Sequence, residues 1–282
     1  STLFMNLIRG ESFPKSATKV LVHYDKLYCD PNTINDGDIV YTDTHHALMF
    51  KDILNKRESL TIVTSNSDHC LYDGPTDNPN GIDVQQLTCW KKWYGQNSFS
   101  EVVTPLPIGF ENLRWESSFG PKTSWLKEAR DKDITPTKTV YLNCNKNTSL
   151  AARQECYDSA SRMIFATVDA PNLSYPEYLQ RIKEHKFVLS PRGNGLDCHR
   201  TWEVLMMRRV PVIKREGSME RLYNNMPVLF VDEWSDLKLM NLDKIYEELP
   251  QVDFGRIAAQ TAKQVISFNV REAERERQYN DF

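Results

Sequence analysis

Between the apolar runs at 187–189 and 210–213 lies Ser190-Pro191-Arg192-Gly193-Asn194-Gly195-Leu196-Asp197-Cys198-His199-Arg200-Thr201-Trp202-Glu203, a stretch whose residue types suit the holding of an anion. Gly193 and Gly195 let backbone N–H groups turn toward a ligand, and the helix expected to follow offers the partial positive charge of its N-terminus. Asp197 is the expected N-cap of that helix, which should bury Trp202, Leu205 and Met206. Arg200 and Glu203 stand three apart, on one helix face. An arginine fork can take a diphosphate at two points, and a carboxylate one turn on can accept hydrogen bonds from ribose hydroxyls. The same spacing equally describes a surface ion pair of little energetic worth. From 192 to 215 six basic residues (Arg192, Arg200, Arg208, Arg209, Lys214, Arg215) meet only Asp197 and Glu203, a local excess of positive charge. The pattern is not a dinucleotide fingerprint, because Cys198 stands where the third glycine would be needed.

A second group of chemically capable residues lies in the first half. Tyr41-Thr42-Asp43-Thr44-His45-His46 and Ser65-Asn66-Ser67-Asp68-His69-Cys70-Leu71-Tyr72-Asp73 each follow an apolar run. A carboxylate or imidazole there could serve as a general base, with Asp73 and Asp68 ranked ahead of His69. Asp43, His45, His46, Asp68, His69 and Cys70 are also metal-ligand types, which leaves a metal-dependent hydrolase as an alternative. Their spacing matches no helical His-x-x-x-His pair, and no metal is assigned. Exposed rings at Trp90, Trp93 and Trp234 would suit a carbohydrate-binding protein without catalysis.

The elements that must position these residues alternate. Strands are expected over 19–24, 38–41, 60–64, 102–106, 139–142, 186–190, 210–213 and 227–231, and helices over 46–56, 125–130, 149–163, 175–184, 198–209 and, more loosely, 235–249. That alternation argues for α/β layering on mainly parallel sheets. The polar segment 117–136 reads as a linker and the charged residues after 255 as a helical tail.

The chain has 282 residues, room for two ordinary domains. Its formal net charge of -3 provides no global field toward nucleic acid or anionic membrane. Apolar runs are too short to span a membrane, and the first residues lack signal-peptide features, although the initial Ser leaves room for a removed targeting segment. Six scattered cysteines read as free thiols of a reducing compartment; sequons at Asn147 and Asn172 carry little weight against that.

The run from Phe187 to Ile213 resembles the donor-binding region of exostosin-like (family-47-type) glycosyltransferases. Further segments at 64–68, 93–97, 105–112 and 143–148, with Arg153 downstream, are similar to that family in the same order. Arg209 departs from the pattern, which has glycine before the Pro-Val-Ile strand. The likeness extends to viral β-xylosyltransferases. It implies a GT-B-like fold of two Rossmann-like domains facing a cleft, with a C-terminal helix packing back toward the first. The expected division is 1–133 for the acceptor, 134–258 for the nucleotide-sugar and 259–282 for the helix. The implied activity is inverting, metal-independent transfer of a sugar, xylose first, from a UDP-sugar (GDP-sugar second) to a glycan acceptor. No cofactor, no nucleic-acid partner and a cytoplasmic setting, that of a host cell for a virus-encoded enzyme, belong to the same reading. Donor binding falls to Arg153, Arg192, Gly193, Gly195, Arg200 and Glu203, catalysis to Asp73, Asp68 or His69, and acceptor binding to His45, Trp93 and Asn97.

Overall fold

The computed structural model describes residues 10–249; the tail helix expected over 259–282, and its packing, lie outside the described residues. The chain forms two compact α/β units and passes from one to the other at Gly109/Phe110. Both are built on parallel sheets.

In the first unit, β1 (Lys19–His23), β2 (Lys26–Leu27), β3 (Ile39–Asp43), β4 (Leu60–Ser65), β7 (Trp90–Gly95) and β8 (Thr104–Pro105) form one sheet in the order β2-β1-β3-β4-β7-β8. Only β2 runs antiparallel, joined to β1 by the two-residue turn Tyr24-Asp25. Every residue of β3 is buried, the mark of an interior strand covered on both faces. A separate parallel pair, β5 (Cys70–Tyr72) and β6 (Gly81–Asp83), follows β4. The helix expected over 46–56 shrinks to Lys51–Leu54, because a 3₁₀ turn, Thr44–His46, occupies the start of that span.

In the second unit, β9 (Lys138–Leu142), β10 (Ala166–Val168), β11 (His185–Leu189), β12 (Val210–Lys214) and β13 (Leu229–Val231) are all parallel, in the order β10-β9-β11-β12-β13. The chain leaves β9 toward one edge and returns through β11 toward the other. The carboxyl ends of β9 and β11 therefore flank a topological switch point, where the connecting loops diverge and leave a crevice. The helix Tyr175–Glu184 has its expected bounds, and its N-terminus explains why. The Ser174 N–H donates to Glu177 Oε2 at 2.9 Å while Ser174 Oγ accepts from the Glu177 N–H at 3.4 Å, and Pro176 stands in the first turn.

Residues 117–136 do not behave as a linker. Lys122–Asp131 is a helix packed on Tyr175–Glu184, with Leu126 buried and the Trp125 ring 6.1 Å from that of Tyr175. The buried Lys183 ammonium donates to the carbonyls of Ala129 (2.6 Å) and Arg130 (3.1 Å), and to that of Lys132, closing the helix end. The second unit thus takes in residues that the sequence reading left before position 133.

The core of the second unit joins Val140, Leu142, Leu189 and Val212 to Trp234, Leu237 and Leu242 from the 3₁₀ turn Trp234–Lys238 and the helix Leu242–Glu248. Trp234 is 3% exposed and Trp93 1%, and Trp90 is half-buried, so the tryptophans expected at the surface are largely packed inside. Truncating Trp234 leaves a void beneath the sheet. Trp234→Ala is expected to cost about 3–5 kcal/mol in a urea unfolding curve of the full chain; a loss under ~1 kcal/mol would show that this ring is not a core element.

Candidate functional site

At the switch point the geometry centres on two arginines. Arg153, on the helix Leu150–Ala160, is 7% exposed. Its Nη1 donates to the Asn145 carbonyl at 2.6 Å and its Nε to the Arg192 carbonyl at 3.0 Å, tying the loop after β9 to the loop after β11. Gly193 lies against it: a Cβ there would stand 3.3 Å from Arg153 Nη2, a tight contact that keeps this position small. Burial first, and the like charge of Arg200 second, hold the Arg153 guanidinium below its ordinary value.

Arg200 lies in the first turn of the helix His199–Met206. Its Nε donates to Tyr178 Oη at 3.3 Å, while its buried Nη1 has no hydrogen-bond partner. Among the described residues, neither Arg153 nor Arg200 forms an ion pair with a carboxylate. Two guanidiniums near enough to act on one another, one of them with an unspent buried donor, thus lie at the switch point without direct neutralisation. Such an arrangement favours an anion that can supply the missing acceptor.

Glu203 occupies the helix face expected of it, 9% exposed, and is held there by protein hydroxyls. Tyr175 Oη donates to Oε1 at 2.7 Å and Tyr178 Oη to Oε2 at 3.2 Å. Burial first, and the charge of Glu203 second, keep both tyrosines well above their ordinary pKa, so they stay protonated donors. Tyr178 therefore links Glu203 to Arg200 through one hydroxyl.

The rest of the basic stretch is neutralised or structural. Arg192 pairs with Glu216 at 2.5 Å, Lys214 with Glu155 at 2.7 Å and Arg215 with Glu220 at 2.8 Å. Arg209, buried, donates from Nε to the Lys183 carbonyl at 3.0 Å. Of the six basic residues counted along the stretch, Arg200 is the one left with a buried donor that has no partner. Gly195 is buried in the same loop. Asp197 is not the helix cap; Cys198 holds that place, and Asp197 accepts from Trp202 Nε1 at 2.9 Å and from the Tyr223 hydroxyl. A small cavity of about 30 Å³ beside β11 is lined by Ala152, Pro191, Arg192, Glu216 and Trp234, among others.

In the first unit Asp73, Trp93 and Asn97 take structural roles, while His45 and His69 stay close, their rings 5.6 Å apart. Asp73 accepts from the Ser100 hydroxyl and from the Glu101 N–H at 2.7 Å, which makes it a fastener between loops. Asp68 stands in the turn before β5. His69 Nδ1 lies 3.0 Å from Ser67 Oγ, and burial first, then the neighbouring His45, lower its pKa. Trp93 is core, its Nε1 donating to Thr64 Oγ1 at 3.0 Å, and the buried Asn97 donates to the Ser67 carbonyl at 3.0 Å. Asp43 is buried at the end of β3 and accepts from the Tyr24 N–H (2.6 Å) and from Tyr41 Oη (3.0 Å), with His23 Nδ1 at 3.1 Å. His45 and His46 instead meet Asp25, a residue the sequence reading did not single out.

The NusA N-terminal domain family matches residues 233–276. The transcription termination/antitermination protein NusA of Rickettsia conorii is 62% identical over 40 residues, which is 14% of this chain and 8% of that protein. Its Rickettsia prowazekii counterpart shows the same figures, and that of Bacillus subtilis is 37% identical over 75 residues, 26% of this chain and 20% of its own length. The matches thus span a fifth or less of the relatives' lengths. Residues 233–249 of the matched segment are the turn and helix that close the core of the second unit.

These matches overturn the exostosin-like resemblance. Inverting sugar transfer, the xylosyltransferase reading, the hydrolase and carbohydrate-binding alternatives, the nucleotide-sugar and glycan partners, and the exclusion of nucleic acid are all corrected by the same finding. The resemblance rested on short motifs spread in order along the chain, of kinds that many parallel α/β units could present; the match to NusA is 62% identical over 40 residues. Among the described residues no helix is long and apolar enough to cross a membrane.

The geometry around Glu203 generates a direct test. Glu203→Gln keeps the volume but turns an amide N–H₂ toward one of two tyrosine donors. The loss of charge-assisted bonds is expected to lower stability by about 1.5–3 kcal/mol, measured by chemical unfolding at neutral pH. A change within ~0.5 kcal/mol would mean that the tyrosines do not depend on the carboxylate.

Proposed function

We propose that this chain takes part in transcription termination or antitermination, with residues 233–276 as the segment that carries that role. The observation behind the reading is the 62% identity over 40 residues to NusA within a segment that also matches the family. In the second unit, Rossmann-like in its strand order, the unpartnered buried donor of Arg200 and the nearby Arg153 support an anion site, with Gly193 against Arg153. Nucleic acid is the phosphate-bearing partner that this setting offers, and arginine is the residue best shaped for phosphate oxygens. With a net charge of -3 the whole molecule would not bind nucleic acid through a general field, so contact would be local and short. A cytoplasmic setting is part of this reading. The GT-B arrangement has no role in it.

The test is transcription in vitro across a terminator, with the full chain compared with one ending at Leu249. The shortened chain retains every described residue, and circular dichroism and melting report whether it stays folded. The full chain is expected to change the read-through fraction at least twofold and the shortened chain to leave it unchanged. Arg200→Ala should reduce the effect without abolishing it. A full chain that leaves read-through unaltered would overturn the proposal.

A further inference from the structure

In the first unit, the hairpin turn and the 3₁₀ turn after β3 bring three ligand-type side chains to one point. His45 Nε2 and His46 Nε2 each lie 2.9 Å from the same oxygen, Asp25 Oδ1. The three atoms all stand within 4.8 Å of one another. The imidazole rings of His45 and His46 are 4.0 Å apart, and the His69 ring is 5.6 Å from that of His45. The other Asp25 oxygen takes neither imidazole, so both ring nitrogens converge on one atom. Two on the same oxygen, with a third imidazole close by, form an arrangement that repels itself when protonated and suits a cation when neutral.

The convergence is built by the backbone. Tyr24 and Asp25 form the two-residue turn between β1 and β2, both with positive φ (49° and 59°), as a type I′ hairpin requires. Asp43, the last residue of β3, accepts the Tyr24 N–H at 2.6 Å, and Thr44, His45 and His46 follow it as a 3₁₀ turn. The buried Asp43 therefore clamps the hairpin tip to the turn that carries both imidazoles, and it acts on the site from outside the ligand set.

We infer that Asp25, His45 and His46 form a binding site for a first-row transition dication of the zinc type. Two imidazole nitrogens and one carboxylate are a three-ligand set that leaves positions for water. Zinc–ligand bonds of about 2.0–2.2 Å place tetrahedral ligands roughly 3.4 Å apart. The present 2.9 Å contacts need to open by only about half an ångström. Each imidazole gives up its Nε2 proton and stays neutral by carrying the proton on Nδ1, and the ionised Asp25 offsets one of the two metal charges. His69 is the nearest further imidazole, with Nδ1 already engaged by Ser67 Oγ. The inference is independent of the transcription reading.

The test uses the full chain, free of affinity tags and stripped with chelator. Calorimetry with Zn²⁺ and visible absorption with Co²⁺ should both report one equivalent. His45→Ala/His46→Ala should weaken binding at least 100-fold. Asp25→Asn, at a side chain 76% exposed and so harmless to folding, should weaken it at least tenfold. Cys29→Ser, away from the ligand set, should leave it unchanged. Absence of stoichiometric uptake, or uptake undiminished by Asp25→Asn, would overturn the inference.

Discussion

Arg153 reaches from its helix across the ends of β9 and β11 and spends N–H groups on the carbonyls of Asn145 and Arg192. That bracing fixes the crevice of the second unit. Both tied carbonyls belong to irregular loops, which have no ladder to satisfy them, so the guanidinium replaces the backbone partners that a strand would have provided. The cost is a buried positive charge placed beside a second arginine, with its acidity raised accordingly. A carboxylate would relieve that cost, but it would also fill the site. The neighbouring acid, Glu203, is kept one hydroxyl away by Tyr178, close enough to moderate Arg200 without pairing with it.

The same device recurs with the sign reversed. Asp43 and Asp197 are carboxylates buried to 1% and 3% exposure, and each is surrounded by N–H and O–H donors. A buried carboxylate that accepts several hydrogen bonds acts as a rigid joint, because moving any donor away exposes charge to an apolar surround. Asp43 joins the β1–β2 turn to the turn that follows β3. Asp197 joins the glycine loop to the helix bearing Arg200. In both units a chemically capable cluster thus sits on a joint rather than on a free loop.

Much of this organisation was legible in the sequence. The parallel α/β pattern is observed and all eight expected strands overlap observed ones, and Tyr175–Glu184 was readable to the residue because Ser174, Pro176 and Glu177 announce its start. β7 was missed, since adjacent Lys91 and Lys92 break the alternation that marks a half-buried strand. The linker reading failed at Lys183, whose buried ammonium caps a helix far away in sequence. Counting charges from 192 to 215 gave a basic patch, whereas the acids that neutralise it (Glu155, Glu216, Glu220) all lie outside the counted stretch. Asp25 carried no signal at all: a Tyr-Asp pair is not the Asn-Gly or Asp-Gly that advertises a type I′ turn, and only the clamp from Asp43 brings it to His45 and His46. The family resemblance drawn from motifs was misleading because glycine loops, arginines and an apolar strand recur wherever a parallel sheet offers a switch point.

The central claim, that the Arg153–Arg200 crevice is an anion site, is most directly tested by calorimetric titration of pyrophosphate into the full chain at fixed ionic strength. The account gives single-site binding that Arg200→Ala weakens by roughly 10- to 100-fold, the worth of a hydrogen bond to a charged group, while melting of the variant stays at or above that of the unsubstituted chain because a buried unpaired donor has been removed. Binding of equal strength in both proteins, or none in either, would contradict it.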